Sequence, residues 1–474
     1  MAPRSAIPSN LYSSPPDFDA LAESYPPLKP HVFLNATGKP SINFKDIDAQ
    51  RRLTEALLYR DFGLSLALPD GRLCPTRRLN YVRWIQSLVR SVRPWESDVT
   101  PDLVLGLDIG TGASAIYPLL SCAVEPLWRI VATDIDEISL EYARKNVNEN
   151  DLSARVDIRR SSVEGPILHP LTDAALPIFD FTMCNPPFYS SAEDIVQSAS
   201  AKDFDPHAVC TGSDIEMITP GGEVAFVQKI LEESLSLKHR CRWFTSLLGK
   251  LTSVASMVDR FRETKIDNYA ITEFVQGHTR RWAVGWSFGA VRLPDRIAHP
   301  TSSVLNSASP LPTTLHQHYP TPATVESLFS SLYAVLNDID GVSYITKDPS
   351  NPDDINNGGN VPSDPGSERV LVSVGQNTWS RAARRRKQLS APTTSLQSSV
   401  PSDLHVAEHA SFWKCEISVE HSPPRHGAHG PTEFVLSVQW RVGASRGDFE
   451  SFWSHVTRKV GAKLAGDPGD RKRS

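Results

Sequence analysis

A strand, a glycine turn, a helix and a second strand follow one another in the first third of this chain. The apolar run Leu103–Ile109 leads into Gly110-Thr111-Gly112, and a second apolar run, Trp128–Thr133, ends at Asp134. The next segment, Ser139–Asn150, shows helical periodicity. The helix between the glycine turn and the second strand joins the two strands, and strands joined in this way pair in parallel through a right-handed crossover. The sequence therefore predicts an α/β fold with a Rossmann-like core.

The glycine turn and the acidic residue predict a nucleotide-type ligand that carries a cationic group. Gly110 and Gly112 let the backbone approach a ligand and present N–H groups at a helix N-terminus. Asp134 lies 24 residues after Gly110, which suits bidentate acceptance from ribose hydroxyls. The third glycine of the dinucleotide pattern is replaced by Ala115, and Asp108 would repel a pyrophosphate. Asp108 instead favours a cationic amino group, such as that of S-adenosylmethionine.

A second motif, Asn185-Pro186-Pro187-Phe188, directly follows the apolar strand Phe179–Cys184. The exocyclic nitrogen of adenine is a poor nucleophile because its lone pair is delocalised into the ring. A site that accepts both of its N–H bonds, through the side-chain oxygen of Asn185 and the carbonyl of Pro186, frees that lone pair. The prolines stiffen the turn, and Phe188 offers a face for base stacking, worth roughly 1–3 kcal/mol.

Together the two motifs predict a methyltransferase that uses S-adenosylmethionine and acts on a planar amine. The predicted catalytic residues are Asn185, Pro186, Pro187 and Phe188, and the donor-binding residues are Asp108, Gly110, Thr111, Gly112, Asp134 and Asn185. A proline turn that merely ends a strand is the structural alternative. Because Asn-Pro-Pro-aromatic also serves protein glutamine and DNA adenine methylases, those acceptors stay open at this point.

Several further stretches carry a family resemblance. They are Pro16-Asp17-Phe18, Asn43-Phe44-Lys45-Asp46, Asp61-Phe62-Gly63-Leu64, Arg78-Leu79-Asn80-Tyr81, Asp108–Ser114, Gly221-Gly222-Glu223, Leu248-Gly249-Lys250, Thr272-Glu273-Phe274 and Arg281-Trp282-Ala283. Through them residues 14–290 resemble the methyltransferase-like sixteen family of U6 spliceosomal RNA adenine-N6 methylases. They also resemble the related bacterial enzymes that methylate an adenine of 23S ribosomal RNA.

The resemblance implies a class I methyltransferase core, S-adenosyl-L-methionine as donor, and a structured RNA with an unpaired adenosine as acceptor, U6 small nuclear RNA being the first candidate. It also implies that Arg78, with Gly110, Asp134 and Asn185, lines the donor site or the reaction centre. Family members often carry a lysine-bearing loop after the third strand that gates the donor site. Here that loop, Arg159–Glu164, has no lysine, so we assign no gating residue.

Two alternative functions remain beside this prediction. One is an adenine-N6 methylase of ribosomal RNA. The other is an RNA-binding splicing factor that keeps the methylase fold mainly as a scaffold. The intact Asp-x-Gly-x-Gly and Asn-Pro-Pro-Phe motifs argue against a complete loss of activity, and donor binding would discriminate between an enzyme and a scaffold.

Composition and periodicity divide the chain into six segments. We predict a disordered tail at 1–13, a basic helical RNA-binding extension at 14–100, the methyltransferase core at 101–292, a flexible linker at 293–321, a small C-terminal α+β domain at 322–462, and a disordered tail at 463–474. Polar insertions at 348–368 and 388–406 are predicted to be disordered. The α+β domain weakly resembles the carboxyl-terminal RNA-binding region of the same family.

The net charge of −5 argues against a general polyanion binder, so an RNA footprint must be local. Basic residues cluster in the segment 14–100. Each of them taken alone is typical of a solvated surface, whereas the cluster favours collective phosphate contact. We expect RNA contacts at Lys45, Arg51, Arg72, Arg77 and Arg281.

Six scattered cysteines without a Cys-x-x-Cys pair argue against a zinc site and against a disulfide framework. We therefore expect no metal. The sequence also has no apolar window of membrane-spanning length, so we expect no membrane association. A U6 substrate predicts residence in the nucleus, with the cytoplasm as a further compartment. Protein partners and oligomeric state are left open.

Overall fold

The structure is a computed structural model of the 474-residue chain. It describes residues 16–74, 78–100, 103–191, 194, 218–276, 279–300, 302–319, 323–347, 369–380, 383, 385, 413–422 and 433–465. Two compact units share these residues. The first takes the described residues that fall within 1–89, 98–289 and 297–310, and the second takes those within 90–97, 290–296 and 311–474.

A seven-stranded sheet forms the centre of the first unit. Its strands are β3 (Val104–Ile109), β4 (Trp128–Asp134), β5 (Val156–Arg160), β6 (Phe179–Cys184), β7 (Cys241–Leu248), β8 (Tyr269–Gln276) and β9 (Thr279–Trp286). They lie in the order β5-β4-β3-β6-β7-β9-β8. The first five pair in parallel, and β9 pairs antiparallel with both β7 and β8. This mixed sheet confirms the predicted Rossmann-like methyltransferase core.

Four helices in the described part of the chain connect the strands of this sheet. They are α4 (Ile116–Val124), α5 (Glu137–Glu149), α6 (Gly222–Leu237) and α7 (Leu251–Glu263). Strands β3 and β6 are buried along their whole length, as expected for parallel strands covered on both faces. Gly106 permits this packing, because a Cβ at that position would lie 2.3 Å from Cζ of Phe181.

The segment before the sheet contains the predicted helices together with a small hairpin. The helices are α1 (Phe18–Ser24), α2 (Ile47–Phe62) and α3 (Leu79–Val92), and the hairpin pairs β1 (Val32–Leu34) with β2 (Pro40–Ile42). Helices α1 and α2 share a separate apolar cluster that includes Phe18 and Leu57. The hairpin was not predicted, because its three-residue strands are partly exposed and carry no alternation.

The second unit is built on a five-stranded antiparallel sheet. Its strands are β10 (Thr314–Tyr319), β11 (Val342–Lys347), β12 (Arg369–Val374), β13 (Trp413–Ser422) and β14 (Glu433–Val442), in the order β10-β14-β13-β12-β11. Helices α9 (Val325–Asn337) and α10 (Arg446–Leu464) share its apolar cluster. The α+β prediction for this part of the chain is thereby confirmed.

The linker prediction for 293–321 is wrong for its described residues. This segment contains the short helix α8 (Asp295–Ala298), a 3-10 turn and strand β10. Leu305 and Ala308 join the apolar cluster of the first unit, whereas β10 is an edge strand of the second sheet. Its sequence, Thr-Leu-His-Gln-His-Tyr, lacks the apolar alternation of a typical strand because the side chains at 316–318 are exposed.

Some predicted segments lie outside the described residues. These are the insertion at 348–368, the insertion at 388–406, the tail at 1–13 and most of the tail at 463–474. Helix α10 continues to Leu464, which places the start of that tail slightly too early. Among the described residues, no helix combines the length and the apolar character required to cross a membrane.

Candidate active site

Strand register brings the two predicted motifs to one edge of the sheet. In β3, Ile109 pairs with Thr133 of β4 on one side and with Cys184 of β6 on the other. The residues that follow these three partners are Gly110, Asp134 and Asn185. Because parallel strands end at the same edge, the glycine turn, the acidic residue and the proline motif meet there. This is the edge at which open α/β sheets bind ligands.

The carboxylate of Asp134 is held in a fixed position. The backbone N–H of Gly112 donates to its Oδ2 at 2.8 Å, and the N–H of Asp136 donates to its Oδ1 at 2.9 Å. Gly110 and Gly112 have φ values of 70° and 62°, in the left-handed region that glycine tolerates best. The turn is therefore built to present its backbone to a ligand while it orients the predicted ribose acceptor.

Asp108 is buried without the partners that a carboxylate normally has. It is 0 % exposed, and neither of its oxygens has a hydrogen-bond partner among the described residues. Burial raises the pKa of Asp108 to about 7, and the charge of Asp134 contributes in the same direction. The Thr111 hydroxyl lies nearby and opposes part of this shift, but it does not have hydrogen-bond geometry. Such a group is satisfied by a bound cation.

Arg78 supplies the opposite charge. Its Nη1 donates to the hydroxyl of Tyr117 at 3.0 Å, while its Nε is buried without a partner in the described part of the chain. Burial raises the pKa of Tyr117 to about 12, an effect that Arg78 opposes and Asp108 reinforces. Tyr117 thus lies within electrostatic range of both charged residues. A guanidinium and a carboxylate that both lie near one tyrosine suit the zwitterionic amino-acid end of S-adenosylmethionine.

The strand that carries the proline motif is anchored by Tyr81. The hydroxyl of Thr245 donates to the carbonyl of Thr182 at 2.7 Å, so Tyr81 donates to Thr245 Oγ1 at 2.6 Å. The N–H of Cys184 in turn donates to the Tyr81 oxygen at 3.3 Å. This buried chain fixes the backbone immediately before Asn185. Our sequence prediction assigned no role to Tyr81 or Tyr117, because their partners are distant in sequence.

The environment of Asn185 indicates a binding role for its side chain. Its Oδ1 atom is buried and has no hydrogen-bond partner among the described residues. An unpaired buried acceptor costs about 1–3 kcal/mol, and an N–H donor on a bound substrate removes that cost. The motif therefore does more than end a strand.

Phe188 follows Asn185 by three residues and packs against two residues that are distant in sequence. The Arg281 guanidinium lies over its ring, 5.3 Å from the centroid, within the range of a cation–π contact. Gly249 approaches the ring edge so closely that a Cβ there would lie 2.9 Å from Cδ1 of Phe188. Both residues belong to stretches that carry the family resemblance, but only the structure brings them to the aromatic ring.

The residues predicted to contact RNA differ in their exposure and in their contacts within the fold. Arg72 is a structural residue, because its Nη2 lies 2.9 Å from Asp136 and its side chain is only 14 % exposed. Arg51 is also engaged, with Nη2 donating to the Leu68 carbonyl and Nε close to Glu55. In the structure both charges serve contacts within the fold, and RNA contact at these two residues stays a prediction. Lys45 and Arg281 are exposed, while Arg77 lies outside the described residues.

The loop after β5 packs against the donor edge through its backbone. The N–H of Ser161 donates to the Asp134 carbonyl at 2.8 Å, and the Ser161 hydroxyl lies 3.0 Å from Nε2 of His169. Val163 is 75 % exposed.

Within the described part of the chain, no three His, Cys, Asp or Glu side chains are grouped as a metal site would require.

The fold and the site together define a class I methyltransferase. A family model described as RNA methyltransferase matches residues 2–290. The chain belongs to this RNA methyltransferase family, in its methyltransferase-like sixteen branch, as the sequence predicted. It is a methyltransferase, and S-adenosyl-L-methionine is its methyl donor. The buried, unpaired atoms of Asp108 and Arg78 fit the amino-acid end of that donor.

The similar curated proteins carry consistent names. A Schizosaccharomyces pombe protein named U6 small nuclear RNA (adenine-(43)-N(6))-methyltransferase is 35% identical over 422 residues, which is 88% of this chain and 95% of that protein. A Xenopus laevis protein named RNA N(6)-adenosine-methyltransferase mettl16 is 35% identical over 85% of this chain and 74% of its own length. Human METTL16 is 42% identical over 58% of this chain, which spans about half (49%) of the human protein.

A solved structure supports the same assignment. The human METTL16 catalytic domain in complex with MAT2A 3'UTR hairpin 1 matches with a TM-score of 0.54 and 37% identity. The match covers 63% of this chain and 100% of that domain. The same domain in complex with hairpin 6 matches with a TM-score of 0.53.

Proposed function

We propose that this protein transfers a methyl group from S-adenosyl-L-methionine to the N6 amine of an unpaired adenosine in a structured RNA, with U6 small nuclear RNA as the target. The observation that carries the proposal is the buried, unpartnered Oδ1 of Asn185 at the donor edge of the sheet. An acceptor in that position demands an N–H donor, and the exocyclic amine of adenine supplies one.

The chemistry requires positioning more than acid–base catalysis. The donor supplies an electrophilic methyl group on a sulfonium. Asn185 Oδ1 accepts one N–H bond of the target amine and the Pro186 carbonyl accepts the other, which draws the nitrogen lone pair out of the ring. The amine proton becomes acidic only after alkylation, so no strong general base is needed. Orientation of two reactants in this way is a large source of rate enhancement.

The target base must leave its helix or loop to reach this site. An adenosine in a loop or bulge loses little stacking when it is extruded. Phe188 then offers its ring face, and the exposed Arg281 next to it can contact a flanking phosphate. Lys45 and Arg77 extend the proposed RNA contacts.

The identity of the RNA is argued from the relatives. The fission yeast relative, which matches nearly the whole chain, is named for adenine 43 of U6 small nuclear RNA. The human catalytic domain was solved with hairpins of an RNA untranslated region. An RNA is common to both names, and we propose an unpaired adenosine in a structured RNA as the acceptor of this protein. Residence in the nucleus, with a cytoplasmic fraction, follows as part of this proposal.

An Asn185→Ala variant tests the proposed function. We expect methyl incorporation into a U6 transcript to fall at least about 10²-fold, as for the loss of one preorganised polar contact. RNA affinity in filter binding should stay within a factor of about two, because no phosphate contact is lost. The matched substrate control is the same transcript with purine riboside in place of the target adenosine, which lacks the amine.

The wild-type result discriminates between an enzyme and a scaffold. Mass spectrometry of nucleosides from the treated transcript should reveal N6-methyladenosine. Binding of the transcript without any methylation, together with no rise of melting temperature on donor addition, would establish a scaffold and refute the proposed function.

A further inference from the structure

Glu223 is a buried carboxylate that the proposed mechanism does not use. It lies in the first turn of α6 and is 3 % exposed. Its Oε2 accepts from the N–H of Gly249 at 2.6 Å, and its Oε1 accepts from the N–H of Lys250 at 3.0 Å. Both amides belong to the turn between β7 and α7. One side chain thus fixes two successive amides of a single turn.

That turn lies directly against the ring of Phe188. A Cβ at Gly249 would lie 2.9 Å from Cδ1 and 3.3 Å from Cε1 of Phe188, and 3.1 Å from Oε2 of Glu223. Gly249 is therefore enclosed between the carboxylate and the ring. A shift of the turn by a fraction of an ångström would move its contact with the ring edge by the same amount.

The start of α6 is tied to the same loop from its other side. Tyr189 forms a parallel bridge with Ile218, and the N–H of Thr219 donates to the Tyr189 carbonyl at 2.9 Å. Gly221 and Gly222 have φ values of 77° and 66°, which turn the chain into the helix immediately beneath this loop. Glu223 comes next. The start of the helix and the Gly249–Lys250 turn therefore both contact the loop that contains Phe188 and Tyr189.

We infer that Glu223 is a positioning residue, which holds the Gly249–Lys250 turn against Phe188 and so sets the ring on which the target base stacks. The inference rests on the proposed function, since it names the ring as the stacking surface for the target adenine. Glu223 touches neither substrate nor donor in this account. Its effect reaches the reaction through Gly249 and the ring.

The helix offers a matched control for this inference. Glu233 lies ten residues further along α6, roughly 15 Å away along the helix axis. It also accepts from two successive backbone amides, those of Ile167 at 3.0 Å and Leu168 at 2.8 Å. These amides belong to the segment before β6, at the opposite end of that strand from Asn185. Glu233 therefore makes the same kind of bonds as Glu223, but to a segment other than the Gly249–Lys250 turn that contacts Phe188.

The test compares Glu223→Gln, Glu233→Gln and Gly249→Ala in the full chain. The side-chain amide of glutamine keeps one acceptor oxygen, but its NH2 group faces the other backbone N–H, so two donors meet and that hydrogen bond is lost. In Gly249→Ala, the added methyl group displaces the Phe188 ring directly. We expect kcat on a U6 transcript to fall roughly 10- to 100-fold in Glu223→Gln and Gly249→Ala, while KM for the donor stays within about twofold. Glu233→Gln should retain wild-type kcat once the temperature is set well below its melting point.

A fluorescence readout separates positioning from general loss of stability. With 2-aminopurine at the target position, binding to the wild type should change the emission of the extruded base as it stacks. The change should be smaller in Glu223→Gln and Gly249→Ala and unaltered in Glu233→Gln. Equal losses of kcat in both glutamate variants, or wild-type kcat in Gly249→Ala, would overturn the inference. A wild type that binds the transcript but never methylates it would instead overturn the proposed function, and the inference with it.

Discussion

Asp108 and Arg78 show how single residues prepare the donor site. Each is held in the fold by burial and neighbours, and each has unpaired polar atoms that point to a ligand of opposite charge. A carboxylate that is desolvated in the absence of ligand gains more from a cation than an exposed one does, because the local dielectric is low. The affinity of the site for an amino-acid zwitterion is therefore coupled to the protonation of Asp108.

This coupling predicts a pH dependence of donor binding. The pKa of Asp108 is raised to about 7 by burial, so the carboxylate is largely ionised at pH 7.5 and largely protonated at pH 6.0. A cationic amine binds the ionised form, and its affinity should therefore fall as the pH is lowered through this window. Between pH 7.5 and 6.0 we expect the Kd of S-adenosylhomocysteine in calorimetry to rise about tenfold.

The control for this prediction is Asp108→Asn. The variant should bind the product more weakly at pH 7.5, because an amide carries no charge, and its Kd should be nearly independent of pH over the same window. A pH dependence that persists in Asp108→Asn would assign the titration to another group.

The individual site residues differ in how far sequence predicts them. Asp134 and Asn185 could be predicted, because each follows a strand whose apolar run is legible, and parallel strands end at one edge. Arg72 could not, since its partner Asp136 is 64 residues away and a basic residue alone is equally consistent with phosphate or carboxylate. Tyr81 likewise depends on Thr245, 164 residues away.

At the scale of elements, helix α5 holds the segment 63–74 next to the glycine turn by side-chain hydrogen bonds. Asn146 Oδ1 accepts from the N–H of Ala67 at 2.7 Å, and its Nδ2 donates to the carbonyls of Ala67 and Ala113, both at 2.9 Å. One turn later, Asn150 makes the same pair of bonds to Ser65, both at 2.8 Å. Because Ala113 follows Gly112, this ladder connects the segment to the donor turn.

The ladder predicts a difference between two chemically identical substitutions. Asn146 is 0 % exposed, so Asn146→Ala leaves one buried and two partly buried backbone groups without that partner and should lower the free energy of unfolding by about 3 kcal/mol. Asn150 is partly exposed, and its two bonds to Ser65 are solvent-exposed, so water can replace them and Asn150→Ala should cost about 1 kcal/mol or less. Urea unfolding followed by far-ultraviolet circular dichroism measures both values. Equal costs would mean that the buried bonds of Asn146 contribute no more than the exposed ones.

Helices and strands could be predicted where their buried residues form a recognisable apolar pattern in the sequence. The fully buried strands β3 and β6 are uninterrupted apolar runs, and α5 has Leu140, Ala143 and Val147 on its buried face. Strand β10 was missed for the opposite reason. Among the described strands it pairs only with β14, at the edge of its sheet. Its three central side chains are exposed, so they leave no apolar pattern in the sequence, although Tyr319 and Leu315 pack on the apolar cluster of the second unit.

At the scale of the whole molecule, the two units do not divide the chain at a single point. Residues 297–310 return to the first unit after 290–296 have joined the second. In the first unit, the carbonyl of Ile297 accepts from Trp84 Nε1 at 3.2 Å, and the carbonyl of Ala308 accepts from the Tyr269 hydroxyl at 3.1 Å. The methyltransferase core therefore needs residues beyond the boundary at 292 that its own strands suggest.

Two truncated chains test this boundary. A chain that ends at residue 310 keeps these contacts, whereas one that ends at 292 exposes the surface that Leu305 covers and leaves the buried Trp84 and Tyr269 donors unpaired. Burial of one leucine contributes about 1.5–3 kcal/mol, and each orphaned donor costs about 1–3 kcal/mol. We expect the shorter chain to melt on the order of 10 °C lower in calorimetry.

The full-length variant Leu305→Ala isolates the packing contribution from the effect of chain length. Leu305 is 3 % exposed and belongs to the apolar cluster of the first unit, so its truncation should cost about 2–4 kcal/mol. If the two truncated chains melt at the same temperature while Leu305→Ala is destabilised, the contacts of 297–310 depend on the second unit being present. Equal melting temperatures without any loss in Leu305→Ala would show that residues 297–310 do not stabilise the methyltransferase core.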